Sequence, residues 1–117
     1  MDKDLQAVDQ AFKALADPTR IRILGLLASG EICVCHIHES LRIPQPKASR
    51  HLAYLRRAGL VAGRKQGLWV YYSLSEPANP FHGRLLECLK SCFREVPEIA
   101  ADSKRAGKVR KGAECCP

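Results

Sequence analysis

Two thiols separated by one residue, Cys33 and Cys35, form the group in this sequence with the clearest capacity for chemistry. Thiolate sulfur is a preferred ligand of soft ions, and two thiols on one segment chelate an ion, so the second bond costs less entropy than the first. Residues two apart in a regular helix are rotated by roughly 200° and point away from each other. Binding by both therefore requires either a non-helical Cys33 or an unwound first turn of the helix that follows.

The sequence contains six cysteines in three pairs, which are Cys33/Cys35, Cys88/Cys92 and Cys115/Cys116. The mixed-charge N-terminus is not typical of a secretory signal, and no run of about 18 apolar residues is present to span a membrane. We therefore predict a cytosolic protein. Because the cytosol keeps thiols reduced, six cysteines indicate ligand or redox chemistry rather than a disulfide framework.

The second and third cysteine pairs differ in their surroundings. Cys88 and Cys92 are four residues apart and accompany several leucines, so we interpret them as buried at a helix that forms a dimer, rather than as metal ligands. Cys115 and Cys116 lie in a polar C-terminal segment, where a vicinal pair has no fixed geometry and its role stays open.

Two histidines close to the first thiol pair extend the choice of ligands. His36 and His38 could add nitrogen, so that Cys33, Cys35 and His38 form a conceivable zinc or cadmium set. Their spacing matches no strong zinc signature, and we expect both histidines to be exposed. A third ligand could also come from the other cysteines, or from a small exogenous thiol.

The charge of the chain is unevenly distributed. The formal net charge is +7, and residues 40–75 contain no acidic side chain. This segment holds seven basic residues, which are Arg42, Lys47, Arg50, Arg56, Arg57, Arg64 and Lys65. A basic segment that also has the pattern of a helix-turn-helix favours double-stranded DNA as the partner over a merely solvated surface.

Apolar periodicity and the positions of Gly, Pro and Asp predict the elements. We predict helices over 4–15, 18–28, 35–41, 45–58 and 81–96, and strands over 60–64 and 68–74. This order is typical of a winged helix-turn-helix domain, mostly α with a small β-hairpin. We assign residues 1–97 to this DNA-binding and dimerisation domain, and residues 98–117, which are sparse in large apolar groups, to a flexible basic tail with a Cys pair.

The helix over 45–58 has the composition of a recognition helix, with one apolar face for docking and one polar face for the major groove. Gln45 and Arg50 can make bidentate contacts to base edges, whereas Lys47 and Ser49 are better suited to phosphates. His51 either supports the helix or contacts phosphate, and we favour support. At the hairpin tip, the basic pair Arg64-Lys65 is placed like a wing that meets the backbone or minor groove.

Three ordered segments resemble the ArsR/SmtB family of metal-responsive repressors, namely 14–24 (ALADPTRIRIL), 45–56 (QPKASRHLAYLR) and 58–61 (AGLV). The segment 31–35 (EICVC) resembles the arsenite- and antimonite-sensing branch. The resemblance implies a homodimer joined by the first helix and the helix over 81–96. It also implies a repressor of a resistance operon that needs no cofactor and is released when trivalent arsenic or antimony binds Cys33 and Cys35.

The chain departs from the family pattern at two positions. Pro44 stands where the family often has a capping serine, so the recognition helix lacks that side-chain cap. His38 stands where the arsenic-sensing branch often has a third cysteine. The zinc pattern of Asp and His on the last helix is also missing, since His82 is alone there.

Two alternatives to metalloid sensing remain at this stage. The same repressor could use its cysteines to sense oxidant, persulfide, zinc or cadmium, although a disulfide across Cys-Val-Cys would close a very small ring. A thiol enzyme belongs to a different class of protein. Against it, the sequence has no Cys-x-x-Cys near a strand-helix unit, no paired carboxylates and no glycine-rich phosphate loop, so we predict no enzyme.

Overall fold

The elements of the chain follow the predicted order, with one additional strand and one additional helix. The computed structural model describes residues 2–111. In chain order the elements are α1 (Lys3–Leu15), α2 (Pro18–Leu27), β1 (Ile32–Cys33), α3 (Val34–Leu41), α4 (Gln45–Arg57), β2 (Val61–Gln66), β3 (Trp69–Leu74), α5 (Pro80–Ser91), a 3₁₀ turn (Phe93–Glu95) and α6 (Pro97–Lys111). The mostly helical winged helix-turn-helix arrangement is confirmed.

Helix α2 begins at a capping side chain, whereas α4 begins without one. Asp17 accepts hydrogen bonds from the backbone N–H groups of Thr19 at 2.8 Å and Arg20 at 3.1 Å, and Pro18 occupies the first helical turn. Burial alone would raise the pKa of Asp17, but these hydrogen bonds and nearby positive charges lower it. Pro44 caps α4 without any side-chain hydrogen bond, as its type predicts.

The core places α4 against the helices that precede it. Ile23, Leu24, Leu26 and Leu27 make α2 the central buried helix. From α4, three inward-facing side chains are fully buried, which are Ala48, Leu52 and Leu55. Their spacing of three and four residues leaves the opposite face of α4 open to solvent.

The wing is a three-stranded antiparallel sheet in the order β1-β3-β2. The β2–β3 hairpin runs from the pair Val61↔Leu74 to the pair Gln66↔Trp69, and its turn contains Gly67 at a φ of 61°. A glycine there avoids the strain that a side chain would meet in the left-handed region. The sequence analysis did not predict β1, which has two residues and is too short to show alternation.

Residues 98–111 differ from the predicted flexible tail. They form most of α6, in which Ile99, Asp102 and Ala106 are buried. A Cβ at Gly25 of α2 would lie 2.6 Å from the Ile99 side chain, so glycine permits this close packing. The segment is polar on average, so its composition alone does not predict these three buried positions. Cys115 and Cys116 lie outside the described residues.

The first helix leaves part of its apolar side uncovered. Leu5 is 59% exposed and Phe12 60% exposed, while α1 packs on its own chain through Ala11 and Ala14. The Phe12 ring meets that of Phe81, at the start of α5, with a centroid distance of 5.9 Å. Within residues 2–111, no helix has the length and apolar character to cross a bilayer.

Candidate thiol site and nucleic-acid interface

The structure brings the sulfurs of Cys33 and Cys35 to 3.4 Å from each other. Cys33 has extended backbone (φ −68°, ψ 144°) and is the N-cap of α3, whereas Cys35 lies in the first turn. Two thiolates bound to one soft ion at bonds of about 2.3 Å are themselves roughly 3.5 Å apart. Of the two possibilities left open by the sequence, the non-helical Cys33 is the one observed, and the helix need not unwind for the sulfurs to meet.

This thiol site is enclosed by aromatic side chains. Cys33 is 2% exposed and Cys35 6% exposed, and Trp69 and Tyr71 of β3 pack against them. An ion bound by the two sulfurs would therefore lie against these two rings.

The thiol site is also part of the wing. Cys33 pairs with Tyr71 in the β1–β3 ladder. The residue before β1, Glu31, accepts a bidentate pair of hydrogen bonds from Arg64 at 2.7 and 3.1 Å, and the Arg64 guanidinium stacks on the Tyr71 ring at 4.8 Å. Hydrogen bonding from Arg64 lowers the pKa of Glu31. A displacement of β1 would therefore move the basic tip of the hairpin.

If Arg64 binds DNA as the sequence analysis predicts, we expect Glu31→Gln to tighten DNA binding a few-fold, because the variant loses the carboxylate that pairs with Arg64. Fluorescence anisotropy with a labelled operator measures the change. Glu76→Gln is the matched control, since Glu76 is also exposed and its replacement changes the net charge equally. Equal affinities of the two variants would contradict a specific role for the Glu31–Arg64 pair.

The histidines near the thiols are less exposed than predicted. His36 is 7% exposed, and the Ser40 hydroxyl donates to its backbone carbonyl at 2.6 Å. His38 is half-buried, with Nδ1 at 3.2 Å from the carbonyl oxygen of Ile43. Both residues lie on the short α3, most of which is covered by α2, α4 and α6. The spacing of residues along the chain does not predict this packing, so it could not predict the burial of the two histidines. Among residues 2–111, no three His, Cys, Asp or Glu side chains form a metal-binding group.

The predicted base-reading residues lie on the open side of α4. Gln45 and Arg50 are exposed, and Lys47 and Ser49 are half-buried. His51 is also half-buried, and its Nδ1 lies 3.5 Å from Nη1 of Arg20. Burial lowers the pKa of His51, against the opposing charge of Asp17. Because Arg20 belongs to α2, this contact joins α2 to α4.

Arg20, which the sequence analysis did not single out, connects three helices. Its guanidinium donates to the carbonyl oxygens of Ala14 at 2.8 Å and Lys13 at 3.0 Å, at the end of α1. It also lies over the Tyr54 ring of α4, 4.1 Å from the centroid. These contacts set the position of the recognition helix relative to α1 and α2.

A buried ion-pair cluster fastens the far end of α3. Asp102 of α6 is 0% exposed and accepts hydrogen bonds from Arg22 at 2.8 and 2.9 Å and from Arg105 at 2.6 Å. The same two arginines donate to carbonyl oxygens in the last turn of α3, Arg22 to Leu41 at 3.0 Å and Arg105 to Ser40 at 2.7 Å. They satisfy carbonyls that a helix end leaves without partners. The arginine–Asp102 clasp, as we name this cluster, immediately precedes the turn into α4.

The wing residues Arg64 and Lys65 are exposed, as are Gln45 and Arg50 on the open face of α4. A recognition helix supported by three preceding helices, together with a basic hairpin, defines a winged helix-turn-helix DNA-binding protein.

Comparison with known proteins identifies the family. The model of the bacterial regulatory protein arsR family matches residues 17–62. The arsenic resistance transcriptional regulator ArsR2 of Pseudomonas putida is 54% identical over 108 residues, which are 90% of this chain and 94% of that protein. The arsenical resistance operon repressor of Escherichia coli is 46% identical over 87 residues, 74% of each chain.

Solved structures show the same fold. HlyU from Vibrio cholerae has a TM-score of 0.65 at 35% identity, covering 76% of this chain and 94% of its own. A homodimeric winged helix-turn-helix DNA-binding domain from Mycobacterium bovis has a TM-score of 0.63 at 35% identity, covering 74% and 77%. The chain belongs to the ArsR family, and it is a DNA-binding transcriptional regulator rather than an enzyme.

Proposed function

We propose that this protein represses an arsenical resistance operon and leaves its operator when trivalent arsenic or antimony binds Cys33 and Cys35. The observation that carries this proposal is the distance of 3.4 Å between the sulfur of Cys33, in strand β1 of the wing, and that of Cys35, in the first turn of α3. The similarity to two regulators named for arsenic resistance supports the choice of ligand.

The DNA-binding surface combines two elements. Gln45 and Arg50 read base edges in the major groove, and Lys47 and Ser49 hold phosphates beside them. The exposed pair Arg64 and Lys65 meets the backbone or minor groove through the wing. His51 acts through Arg20, which orients the helix.

The protein acts as a homodimer through α1 and α5. The uncovered Leu5 and Phe12 and the neighbouring Phe81 form the apolar surface for this contact. The related Mycobacterium bovis domain is homodimeric. A twofold dimer presents two recognition helices to half-sites in successive major grooves, about 34 Å apart.

Ligand binding changes the positions of two elements, the wing and the recognition helix. The ion displaces Trp69 or Tyr71, which moves β1 relative to β3 and so moves the wing. It also shifts the first turn of α3, where Cys35 lies. Because the arginine–Asp102 clasp holds the last turn of α3 to α2 and α6, the shift moves α3 as a unit and reaches the turn into α4.

Trivalent arsenic commonly takes three ligands, and the third is supplied here by solvent or a small cellular thiol. His38 already meets the Ile43 carbonyl, and Cys88 and Cys92 are exposed on α5. Cys115 and Cys116 lie outside the described residues. X-ray absorption of the arsenite-loaded protein counts the sulfur neighbours, and fewer than two from the protein would contradict the proposal.

Two variants separate base reading from phosphate binding. Arg50→Ala should cost about 1–3 kcal/mol of operator affinity and relax the preference at one base position. Lys65→Ala should weaken operator and random DNA alike and reduce the salt slope of binding by about 1. Anisotropy titrations on both DNAs at several salt concentrations measure these effects. An Arg50→Ala variant that loses affinity equally for both DNAs would contradict the assignment to a base edge.

The close approach of the two sulfurs also suits a second candidate function, sensing of oxidant or persulfide by the same pair. The test is operator release by peroxide or polysulfide in the absence of arsenic, with reversal by a reductant. Release by those reagents but not by arsenite would favour the redox function over metalloid sensing.

A further inference from the structure

The tip of the β2–β3 hairpin carries the most exposed large apolar side chain within residues 2–111. Leu68 is 93% exposed, whereas Leu5 and Phe12, which belong to the proposed dimer surface, are 59% and 60% exposed. Residues 67 and 68 connect the last pair of the hairpin, Gln66↔Trp69, as a two-residue turn. Leu68 therefore lies beyond the ends of both strands.

The turn itself does not require a leucine at this position. Gly67 supplies the positive φ of 61°, and in the described part of the chain Arg42 is the only residue other than glycine with a positive φ, so that of Leu68 is negative. A two-residue turn with glycine first accepts polar residues at its second position. A side chain that is 93% exposed also contributes little to the packing of its own chain. The apolar surface of Leu68 is therefore available to a partner.

Positive charge flanks the tip on both faces of the hairpin. Arg64 and Lys65 are consecutive in β2, so their side chains point to opposite faces, and both are exposed. Residues 40–75 contain no acidic side chain, and Glu31, which pairs with Arg64 at 2.7 Å, comes from outside this segment. The minor groove of DNA is about 6 Å wide and has a row of phosphates on each side. A ribbon with a cation on each face and an apolar tip is complementary to that groove.

We propose that Leu68 is an apolar wedge that enters the minor groove of the bound DNA and partly unstacks one base step, which kinks the duplex. Proteins that insert leucine, phenylalanine or isoleucine in this way bend DNA by about 20–90°. The proposal rests on the placement of the wing against DNA proposed above. It adds a source of sequence preference, because pyrimidine–purine steps are kinked at lower cost than other steps.

The wedge is also connected to the thiol site along the chain. Leu68 directly precedes Trp69, and the Trp69 ring packs against Cys33 and Cys35. A movement of Trp69 on binding of an ion would therefore move Leu68 relative to the groove.

The experiment compares Leu68→Ala with Leu68→Met on a short duplex that the unmodified protein selects from a pool of random sequences. Energy transfer between dyes at the two ends of the duplex measures the bend, and 2-aminopurine placed at each pyrimidine–purine step in turn reports unstacking. Leu68→Ala should lose most of the bend and bind about 10-fold more weakly, because less apolar surface is buried. Leu68→Met, which keeps a long apolar side chain, should retain both properties. Neither variant should change the salt dependence of binding, because no charge is altered.

Val96→Ala is the matched control, since it also shortens an exposed apolar side chain but lies between the 3₁₀ turn and α6. It should bind and bend the duplex like the unmodified protein. An unchanged bend with Leu68→Ala, or an equal loss of bend with Val96→Ala, would overturn the proposal. A change in the oligomeric state of Leu68→Ala without DNA, measured by sedimentation, would also overturn it, because the side chain would then contact a second copy of the chain.

Lys65→Ala separates the wedge from the placement of the wing. If Lys65→Ala weakens DNA binding while Leu68→Ala leaves the bend intact, the wing meets DNA and only the wedge is wrong. If Lys65→Ala leaves affinity and salt dependence unchanged, the wing does not meet DNA, and the wedge is refuted together with that part of the proposed function.

Discussion

Alanine at either Cys33 or Cys35 is expected to abolish release of the operator by arsenite while the ion-free variant still binds operator. Neither thiol contacts DNA in the proposed arrangement, whereas a single remaining sulfur loses the chelate, which lowers affinity for the ion by about 10²-fold or more. Anisotropy of a labelled operator, titrated with arsenite, measures both properties in one experiment. Linkage adds a further expectation, since operator DNA must weaken arsenite binding by the same factor by which arsenite weakens operator binding.

The matched control for these variants is Cys88→Ala, which removes an exposed thiol from α5 and leaves the α3 pair in place. It should respond to arsenite like the unmodified protein. Arsenite-driven release that persists in both α3 variants would refute the assignment of the sensing site. Loss of operator binding without arsenite would instead show that the thiols hold the DNA-binding conformation.

Asp102→Ala is expected to be the most destabilising single replacement outside the apolar core, with a loss of about 3 kcal/mol in the free energy of unfolding. Asp102 is 0% exposed, and its removal leaves the partly buried guanidinium groups of Arg22 and Arg105 without their shared carboxylate. Denaturation in urea at neutral pH measures the loss. The same variant should bind operator less tightly, because the carbonyls at the end of α3 lose the aligned arginines that hold the turn into α4.

Asp9→Ala is the control for this variant, since Asp9 forms an ion pair with Lys13 at 3.0 Å on the exposed side of α1. An exposed ion pair contributes little to stability, so its removal should leave the urea midpoint nearly unchanged. Equal midpoints for the two variants would contradict the structural role of the clasp. A destabilised Asp102→Ala that retained full operator affinity would confine the clasp to folding.

The sequence predicted the parts of this fold that depend on local interactions. Asp17 and Pro18 favour the start of a helix whatever the surrounding tertiary structure, because a carboxylate cap and a fixed φ act over about three residues. Gly67 predicted the hairpin turn, and the spacing of Ala48, Leu52 and Leu55 predicted the inward face of the recognition helix. Residue types and spacing also identified Cys33 and Cys35 as the candidate ligands.

The tertiary structure decided which distant segments meet. Strand β1 exists only because Ile32 and Cys33 pair with β3, some forty residues later. That pairing keeps Cys33 extended, so its sulfur reaches that of Cys35. Helix α6 is held by Asp102 against Arg22 of α2, eighty residues earlier in the chain. Periodicity and capping act within a few residues, whereas these contacts depend on the free energy of packing the whole chain, which no local pattern contains.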